Sequence, residues 1–315
     1  MATVSLTIDG MAVKVPQGTT ILEAAKKIKI EIPALCYDKN LDIVSACRLC
    51  LVEIEGMPKL MTSCSTPVSE GMVVFTESEK VIEVRRTILQ LLLDNHPNDC
   101  LTCQKAGQCL LQKYSFKYDV QFRDHNGARR GQEYASWTDT SSPYVFRDES
   151  KCILCGKCVR TCAEVETRNV LTFADRGFET TIAADGDQSM EESTCVSCNR
   201  CVVACPVGAL MDGRTVGMPR VWETTSKTVK CKQCDFGCNM SVFYKNNKVV
   251  GVRAKDAAMG RPLCLKGRLR TELEYKSMPA APFVKVETPE GRRFVETTWV
   301  EALELDNILD KIENK

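Results

Sequence analysis

Cysteines are the residues of this sequence with the clearest capacity for chemistry, and their spacing divides all 19 of them into five groups. Four groups contain four cysteines, and one contains three cysteines preceded by a histidine. Cysteine thiolates act as nucleophiles, disulfide partners or ligands of soft metal ions. The groups are Cys36, Cys47, Cys50 and Cys64; His96, Cys100, Cys103 and Cys109; Cys152, Cys155, Cys158 and Cys162; Cys195, Cys198, Cys201 and Cys205; and Cys231, Cys234, Cys238 and Cys264.

Composition favours metal ligation over the other roles of cysteine. The amino-terminal sequence MATVSLTIDG has neither the basic nor the apolar segment of a secretory signal, so we expect a cytoplasmic protein. In a reducing compartment clustered cysteines are metal ligands or catalytic thiols more often than disulfides. No apolar run approaches the ~20 residues of a membrane span, and a net charge of +1 without a basic stripe argues against nucleic-acid binding.

The spacing C-x2-C-x2-C-x3-C occurs twice, and Pro206 follows the second run whereas Ala163 follows the first. This spacing is typical of bacterial two-cluster ferredoxins, in which three cysteines bind one 4Fe-4S cubane and the fourth binds the other. A cubane offers a separate iron to each sulfur, whereas zinc needs four sulfurs converging on one ion, so the crossed pattern favours iron. The predicted ligand sets are Cys152, Cys155, Cys158 and Cys205, and Cys195, Cys198, Cys201 and Cys162.

The segment ahead of the first group predicts two strands and a helix. Val4–Ile8 and Ala12–Val15 alternate in hydropathy around an Asp-Gly turn. Thr20 with a glutamate three residues later forms a capping box for a helix from Ile21 to about Ile28. Two strands, a helix and then cysteines predict a β-grasp ferredoxin domain, with a zinc site at the C-x2-C pair as the alternative. Its 2Fe-2S ligands would be Cys36, Cys47, Cys50 and Cys64.

His96 is predicted to replace the missing cysteine of the second group. Apolar residues at helical spacing predict a helix from Val81 to Asn95, which would bring His96 to the cysteines at its end. Histidine is a known substitute for cysteine on iron-sulfur irons, and neutral imidazole makes the cluster less negative. The alternative is a helix-terminal histidine beside an incomplete or zinc-bound group. The apolar residues are Val81, Val84, Ile88 and Leu92.

The last group brackets SVFYKNNKVVGVRA, which predicts two strands around an Asn246-Asn247 turn. Its spacing alone suits zinc almost as well as iron, and the neighbouring groups favour a fifth cluster.

Neither a dinucleotide-binding glycine motif nor a P-loop is present, and two histidines do not supply a Ser/His/Asp set. The sequence therefore predicts a row of redox centres without a substrate site.

The order of the groups resembles the amino-terminal part of NADH-linked iron-only hydrogenases, NAD-dependent formate dehydrogenases and the large iron-sulfur subunit of complex I, over roughly residues 1–215. Residues 229–268, VKCKQCDFGC through CLKGR, resemble the 4Fe-4S domain that opens molybdopterin oxidoreductases. In that family a lysine matching Lys266 lies between cluster and pterin. Because the chain ends at Lys315, without room for a pterin domain, we expect Lys266 to be a relic or a surface contact.

These resemblances imply an α+β multidomain iron-sulfur protein with one 2Fe-2S and four 4Fe-4S clusters. The predicted segments are a β-grasp 2Fe-2S domain (1–78), a helical one-histidine three-cysteine 4Fe-4S segment (79–139), a two-cluster 4Fe-4S ferredoxin domain (140–220), a small β-rich molybdopterin-oxidoreductase-type 4Fe-4S domain (221–280) and a tail (281–315). Apolar residues of the tail predict either a docking helix or packing on its own domain. They are Leu303, Leu305, Ile308, Leu309 and Ile312.

The implied function is electron relay in an NAD(H)-linked, flavin-based electron-bifurcating complex. The implied partners are a flavin-containing NADH-oxidising subunit, a small thioredoxin-like 2Fe-2S subunit, ferredoxin, and a third catalytic subunit of hydrogenase, NADP transhydrogenase or formate dehydrogenase type. Two alternatives remain open at this point. The chain is the amino-terminal portion of a formate dehydrogenase catalytic subunit, or it is a cluster carrier or assembly protein.

Overall fold

The computed structural model describes residues 2–97, 99–120, 138–257, 263–276 and 281–305. These residues form two compact units: the first draws on 1–98, 109–129 and 155–157, and the second on 99–108, 130–154 and 158–315. Helices and strands are mixed throughout, as an α+β protein requires. None of the helices in the described segments combines the length and apolarity needed to cross a membrane. The five segment boundaries expected from the sequence stay a prediction.

The first unit is built on a five-stranded sheet. Its order is β2-β1-β5-β3-β4, with β1 and β5 parallel and the other pairs antiparallel. The strands are β1 (Thr3–Ile8), β2 (Met11–Pro16), β3 (Leu51–Ile54), β4 (Met61–Thr62) and β5 (Val73–Phe75), and the helices are α1 (Ile21–Lys27), α2 (Glu79–Asp94) and α3 (Leu110–Lys117). The two predicted strands and the first predicted helix are thereby confirmed.

Local signals explain these first elements. The Thr20 side chain accepts a hydrogen bond from the Glu23 N–H at 3.4 Å and so begins α1. Alternate residues of β1 are buried and face the core, which also contains the buried face of α1. Cys50 and Cys64 belong to the same core cluster. The first cysteine group is therefore attached to the best-packed part of the unit.

Helix α2 confirms the predicted helix but buries a different stripe. Its buried residues include Val81, Arg85, Leu89 and Leu93, whereas the predicted Ile88 is only partly buried. The sequence pattern passed over the arginine because a charged side chain rarely belongs to a core stripe. Here the guanidinium has partners that compensate for its burial, and they come from other parts of the unit.

The remaining chain forms small sheets joined by short helices. Its strands are β6 (Thr138–Asp139), β7 (Val145–Asp148), β8 (Leu171–Ala174), β9 (Thr181–Ala184), β10 (Leu210–Asp212), β11 (Thr225–Lys230), β12 (Asn239–Lys245), β13 (Lys248–Asp256), β14 (Phe283–Thr288) and β15 (Gly291–Glu296). Its α-helices are α4 (Lys157–Arg160), α5 (Arg200–Ala204), α6 (Leu265–Tyr275) and α7 (Trp299–Ala302). The sheets are β10-β7-β6, β8-β9, β11-β12-β13 and β14-β15, all antiparallel.

The predicted hairpin around Asn246-Asn247 is confirmed as β12 and β13. Both asparagines have positive φ, 51° and 60°, which is the conformation of a two-residue type I′ turn. Asparagine tolerates this left-handed region better than most residues. The hairpin packs its buried residues against Cys231 and Cys238, so the last cysteine group also rests on a small core.

The described part of the tail packs on its own unit. Strands β14 and β15 form a hairpin, and the Tyr144 hydroxyl accepts from the Phe283 N–H at 2.7 Å and donates to the Phe283 carbonyl oxygen at 2.9 Å. Leu303 is buried with Tyr144 and Leu269, and Leu305 packs against them. Ile308, Leu309 and Ile312, the rest of the predicted docking helix, lie outside the described residues.

Candidate metal centres

All 19 cysteines lie within the described residues, and none of them forms a disulfide. In the same residues no three His, Cys, Asp or Glu side chains are arranged around a single metal-ion position. The candidate ligands instead line recesses or form pairs, and the five groups differ in how far the structure brings them together.

Cys162 lies with the second ferredoxin-type run. A recess in the second unit is lined by Cys162, Cys195, Cys198 and Cys201. Apolar side chains, among them Val145 and Met190, form much of the remaining wall. The three consecutive cysteines of one run and the last cysteine of the other therefore face one space.

Electrostatics give the same grouping. Burial raises the pKa of Cys198 to about 12, and negative charge on Cys195 and Cys162 acts in the same direction. Burial raises the pKa of Cys201 as well, with Cys195, Cys198 and Cys162 contributing, and Cys205 of the other set contributing too. Cys162 lies in a single π-helical turn, Thr161–Val165, a feature that is frequent at functional sites.

The backbone repeats its conformation in the two runs. Leu154 and Ser197, the last residues between the first two cysteines of each run, have φ of 52° and 54°. Their N–H groups donate to the sulfurs of Cys152 and Cys195 at 3.4 and 3.3 Å. Left-handed φ is costly for a bulky residue such as leucine, so the conformation marks a functional constraint. The sequence duplication is thus also a structural one.

The other crossed set is divided between the units. Cys152, Cys158 and Cys205 belong to the second unit and Cys155 to the first. The Cys205 thiol donates to the Val207 carbonyl oxygen at 3.3 Å, and Cys205 is buried.

The first group is brought together within the first unit. The sulfurs of Cys50 and Cys64 are 3.3 Å apart, and the Cys47 N–H donates to the sulfur of Cys36 at 3.4 Å. Hydrogen bonds donated by the Cys50 thiol, and then by Ser45, lower the pKa of Cys64, although burial opposes them. The pKa of Cys50 is raised by its hydrogen bond to Cys64 and by burial.

The histidine group is also divided between the units. His96 and Cys109 belong to the first unit, and Cys100 and Cys103 to the second. His96 is buried one residue beyond the C-cap of α2, and Cys109 is the N-cap of α3, where its sulfur accepts from the Gln112 N–H at 3.5 Å. A helix N-terminus stabilises a thiolate. In the second unit, a Cβ added to Gly208 would lie 3.0 Å from the sulfur of Cys103.

The last group converges around Gly267. A Cβ added to Gly267 would lie 3.1 Å from the sulfur of Cys231 and 3.2 Å from that of Cys264. Cys264 is the N-cap of α6 and accepts from the Gly267 N–H at 3.3 Å. Burial raises the pKa of Cys231, with Cys264 and Cys238 also contributing. The structure therefore brings Cys231, Cys238 and Cys264 together, and both Cys264 and Cys234 are exposed.

Lys266 forms a surface ion pair. Its Nζ atom lies 2.5 Å from Glu304 Oε1, and both side chains are more than half exposed. An exposed pair of this kind contributes about 0–1 kcal/mol to stability. The structure therefore places Lys266 in a surface contact, which is one of the two roles expected for it from the sequence.

Three positively charged side chains that the sequence analysis did not identify donate hydrogen bonds to backbone carbonyl oxygens of the loops that carry the cysteines. Arg85 is fully buried and donates to the carbonyl oxygens of Leu49 and Leu51, on either side of Cys50, at 3.2 and 2.9 Å. The only sequence signal for it is its i+4 spacing from Val81 within the helix.

The other two cations belong to the second unit. Arg220 donates to the carbonyl oxygens of Cys103, of Thr102 at 2.9 Å and of Leu101 at 3.3 Å. Lys285 donates to three carbonyl oxygens of the segment that ends at Cys195. Their partners are 90 or more positions away in the chain, so local patterns contain no signal for them.

The residues present suit iron-sulfur clusters. Thiols in groups, an apolar recess lined by four of them, and backbone N–H groups donating to sulfur are the environment that such clusters require. Fixed positive charges beside the ligand loops would balance the negative charge of thiolate-bound clusters.

Sequence models of three families match the chain. A 2Fe-2S iron-sulfur cluster binding domain matches residues 1–79, the NADH-ubiquinone oxidoreductase-G iron-sulfur binding region matches 85–123, and a 4Fe-4S dicluster domain matches 151–209. Both cluster types expected from the cysteine spacing are thus represented.

Curated relatives are subunits of redox complexes. The NADP-reducing hydrogenase subunit HndD of Solidesulfovibrio fructosivorans is 40% identical over 67% of this chain and 36% of its own length. The NADPH-Fe(3+) oxidoreductase subunit alpha of Geobacter sulfurreducens is 37% identical over 90% of this chain and 33% of its own. NADH-quinone oxidoreductase subunit 3 of Thermus thermophilus is 31% identical over 95% of this chain and 41% of its own length. The chain thus spans between a third and two fifths of these relatives.

A solved structure also resembles this chain, and the match covers most of the chain in that structure. It is a chain of the crystal structure of an NAD+-reducing [NiFe]-hydrogenase in the H2-reduced state, at 31% identity and a TM-score of 0.61. The match covers 67% of this chain and 88% of that one.

Proposed function

The chain belongs to the iron-sulfur electron-transfer subunits of NAD(P)H-linked oxidoreductases, and on this premise we propose that it relays electrons within an NAD(H)-linked complex performing flavin-based electron bifurcation. A bound iron-sulfur cluster supplies one-electron transfer. The chain's own residues hold the clusters, fix their charge environment and exclude water. No catalytic residue of its own is proposed.

One observation carries the proposal above the others. The recess lined by Cys162, Cys195, Cys198 and Cys201 combines cysteines of two separate runs, as a two-cluster ferredoxin arrangement does. A site for a single structural zinc would need only one run. The crossing keeps two clusters in one small domain, which is the property that a relay needs.

Five clusters are proposed. A 2Fe-2S cluster would be held by the cysteines of the β-grasp domain, and 4Fe-4S clusters by the histidine group, by the two crossed sets and by the last group. Support for the last comes from the sulfurs on both sides of Gly267 and from relatives that match across it. We interpret this small β-rich domain as the molybdopterin-oxidoreductase type. The ligand sets are those predicted from the sequence.

The proposed partners are those implied by the family resemblance of the sequence, and the relatives support the presence of partner subunits in general. We propose a flavin-containing NADH-oxidising subunit, a small thioredoxin-like 2Fe-2S subunit and ferredoxin, acting in the cytoplasm. The third catalytic subunit would act on hydrogen, NADP or formate. Relatives named as hydrogenase and NADPH-oxidising subunits support the first two.

The test is elemental, flavin and kinetic analysis of the native complex, purified without oxygen through this subunit. The expected result is about 18 irons per chain, bound flavin and reduction of the clusters by NADH within the turnover time. Nickel would identify a nickel-iron hydrogenase partner, and molybdenum or tungsten a formate dehydrogenase. Iron and flavin without these metals would favour NADP transhydrogenation, with hydrogen evolution as the check for an iron-only hydrogenase. Isolation of the chain alone, with zinc and little iron, would contradict the proposal.

A further inference from the structure

Lys285 of β14 is bound to the segment that leads into Cys195. Its Nζ atom donates to the carbonyl oxygens of Met190 at 2.9 Å, of Ser193 at 3.0 Å and of Cys195 itself at 3.0 Å. An ammonium group has three N–H donors, whereas a neutral amine would direct a lone pair at one of these oxygens. The three acceptors therefore fit the charged form.

The β14-β15 hairpin holds this lysine in place. The Phe294 N–H donates to Glu191 Oε1 at 2.6 Å, and Arg292 Nη1 donates to the Glu192 carbonyl oxygen at 3.2 Å. The Lys285 ammonium lies 5.0 Å from the centre of the Phe294 ring. Contacts from the paired strand β15 thus fix the hairpin to the loop, and the position of the charge is determined by folding.

The neighbouring carboxylates have other partners. Glu191 accepts from Phe294, and Asp185 Oδ2 accepts from the Thr194 N–H at 2.5 Å and hydroxyl at 2.7 Å. The ammonium instead bonds three neutral carbonyl groups, one of them belonging to a residue whose sulfur lines the recess. Among the described residues no carboxylate is directly bonded to the ammonium, although the charges of Glu191 and Asp185 act on it from a greater distance.

We propose that Lys285 is a positioning residue that fixes the Cys195 loop and raises the midpoint potential of the 4Fe-4S cluster bound by Cys162, Cys195, Cys198 and Cys201. The inference rests on the ligand set of the proposed function. Reduction adds one electron and hence one negative charge to the cluster, and a fixed positive charge nearby favours the reduced form. The hairpin thereby becomes part of the electron-transfer machinery.

The test compares Lys285→Gln, Lys285→Arg and wild type in the complex by redox titration monitored by electron paramagnetic resonance, with iron analysis. Glutamine keeps two N–H donors but has no charge, and arginine keeps the charge. Lys285→Gln is expected to change the ratio of reduced to oxidised cluster about tenfold at fixed potential, a shift of about 59 mV to more negative values for one electron. Lys285→Arg is expected to stay near wild type. Lys245→Met, which removes an exposed ammonium paired with Glu223 at 2.8 Å, is the matched control.

Each outcome decides the inference. The resonance signal of this cluster is identified as the one lost in the Cys198→Ser variant. If no 4Fe-4S signal is lost in that variant, the ligand set of the proposed function is wrong, whatever the effect of Lys285. An unchanged potential in an iron-replete Lys285→Gln variant would overturn the role of the charge. If Lys285→Gln loses the cluster while Lys285→Arg keeps it, the charge is required for cluster retention, which supports the role of Lys285 in fixing the Cys195 loop. Loss of the cluster in both Lys285→Gln and Lys285→Arg would show that only the packing of the lysine side chain matters, and it would overturn the inference.

Discussion

The Nδ1 atom of His96 lies 2.9 Å from the carbonyl oxygen of Pro97. A carbonyl oxygen accepts hydrogen bonds, so this contact places the imidazole proton on Nδ1, and Nε2 is then the nitrogen that would bind a metal. Metal-binding histidines use such second contacts to fix tautomer and ring orientation. The contact thus supports the proposed role of His96 as a cluster ligand.

Replacing His96 by cysteine is expected to retain the cluster of the histidine group but to shift its midpoint potential by about 100 mV or more to negative values. The reason is that a thiolate adds a negative charge where imidazole is neutral. Redox titration by electron paramagnetic resonance measures the shift, and His125→Ala, at the chain's other histidine, is the control. An unchanged spectrum and potential in both His96→Cys and His96→Ala would exclude His96 as a ligand.

Double substitutions test the crossed ligand sets. Cys162→Ser is expected to remove about four irons, and adding Cys198→Ser should remove no more because both residues serve one cluster. Adding Cys152→Ser to Cys162→Ser should instead remove about four further irons. Iron analysis of anaerobically purified variants provides the measurement. The opposite pattern, with Cys152 and Cys162 non-additive, would show that each run binds its own cluster.

Arg85 is expected to stabilise the first unit strongly. Arg85→Met removes hydrogen bonds to Leu49, Leu51 and Tyr118 and leaves buried carbonyl groups without donors, which we expect to cost about 3–5 kcal/mol. Urea unfolding of the full chain, followed by the visible circular dichroism of the 2Fe-2S cluster, reports this. Arg86→Met is the matched control, since Arg86 is exposed and donates one hydrogen bond, to the Tyr118 carbonyl oxygen at 3.0 Å. Equal effects of the two substitutions would refute a special role for Arg85.

Gly267→Ala is expected to weaken the last cluster site although it improves helix propensity by up to about 1 kcal/mol. The added methyl group would come within 3.1–3.2 Å of two sulfurs and force them apart. Iron analysis should show a loss of about four irons per chain. Glu274→Ala, at an exposed position of the same helix, should retain all iron. Full iron content in Gly267→Ala would mean that the sulfurs do not enclose this glycine in the loaded protein.

The elements that were predictable from the sequence are those with local causes. The turn at Asn246-Asn247 and the cap at Thr20 act within a few residues, and the structure has both. The two cysteine runs could be recognised as cluster ligands from the sequence because iron-sulfur ligation requires a particular spacing between consecutive cysteines. The pairing of Cys162 with the second run, now supported by the shared recess, followed from the same rule.

The features that escaped prediction are long-range. The parallel pairing of β1 with β5 joins Thr7 to Val73 and has no local signature. Arg85 was not identified from the sequence because a charged residue in a helical stripe normally marks the solvent face. Its burial is compensated by the carbonyl groups of Leu49 and Leu51, 36 and 34 positions away, and by Tyr118 and Glu77. The hairpin β14-β15 was not predicted, and its residues were assigned only to the tail, because its contacts with Tyr144 and Glu191 lie more than 100 positions upstream.

The separation of Lys285 from Cys195 also sets the timing of assembly. Ninety positions divide the two residues, and a ribosome adding about 5–20 residues per second needs about 5–20 s to synthesise that length. For this interval the nascent chain exposes the Cys195 loop before the hairpin that fixes it exists. The Cys195 loop therefore cannot be fixed by Lys285 until the carboxy-terminal hairpin has been synthesised.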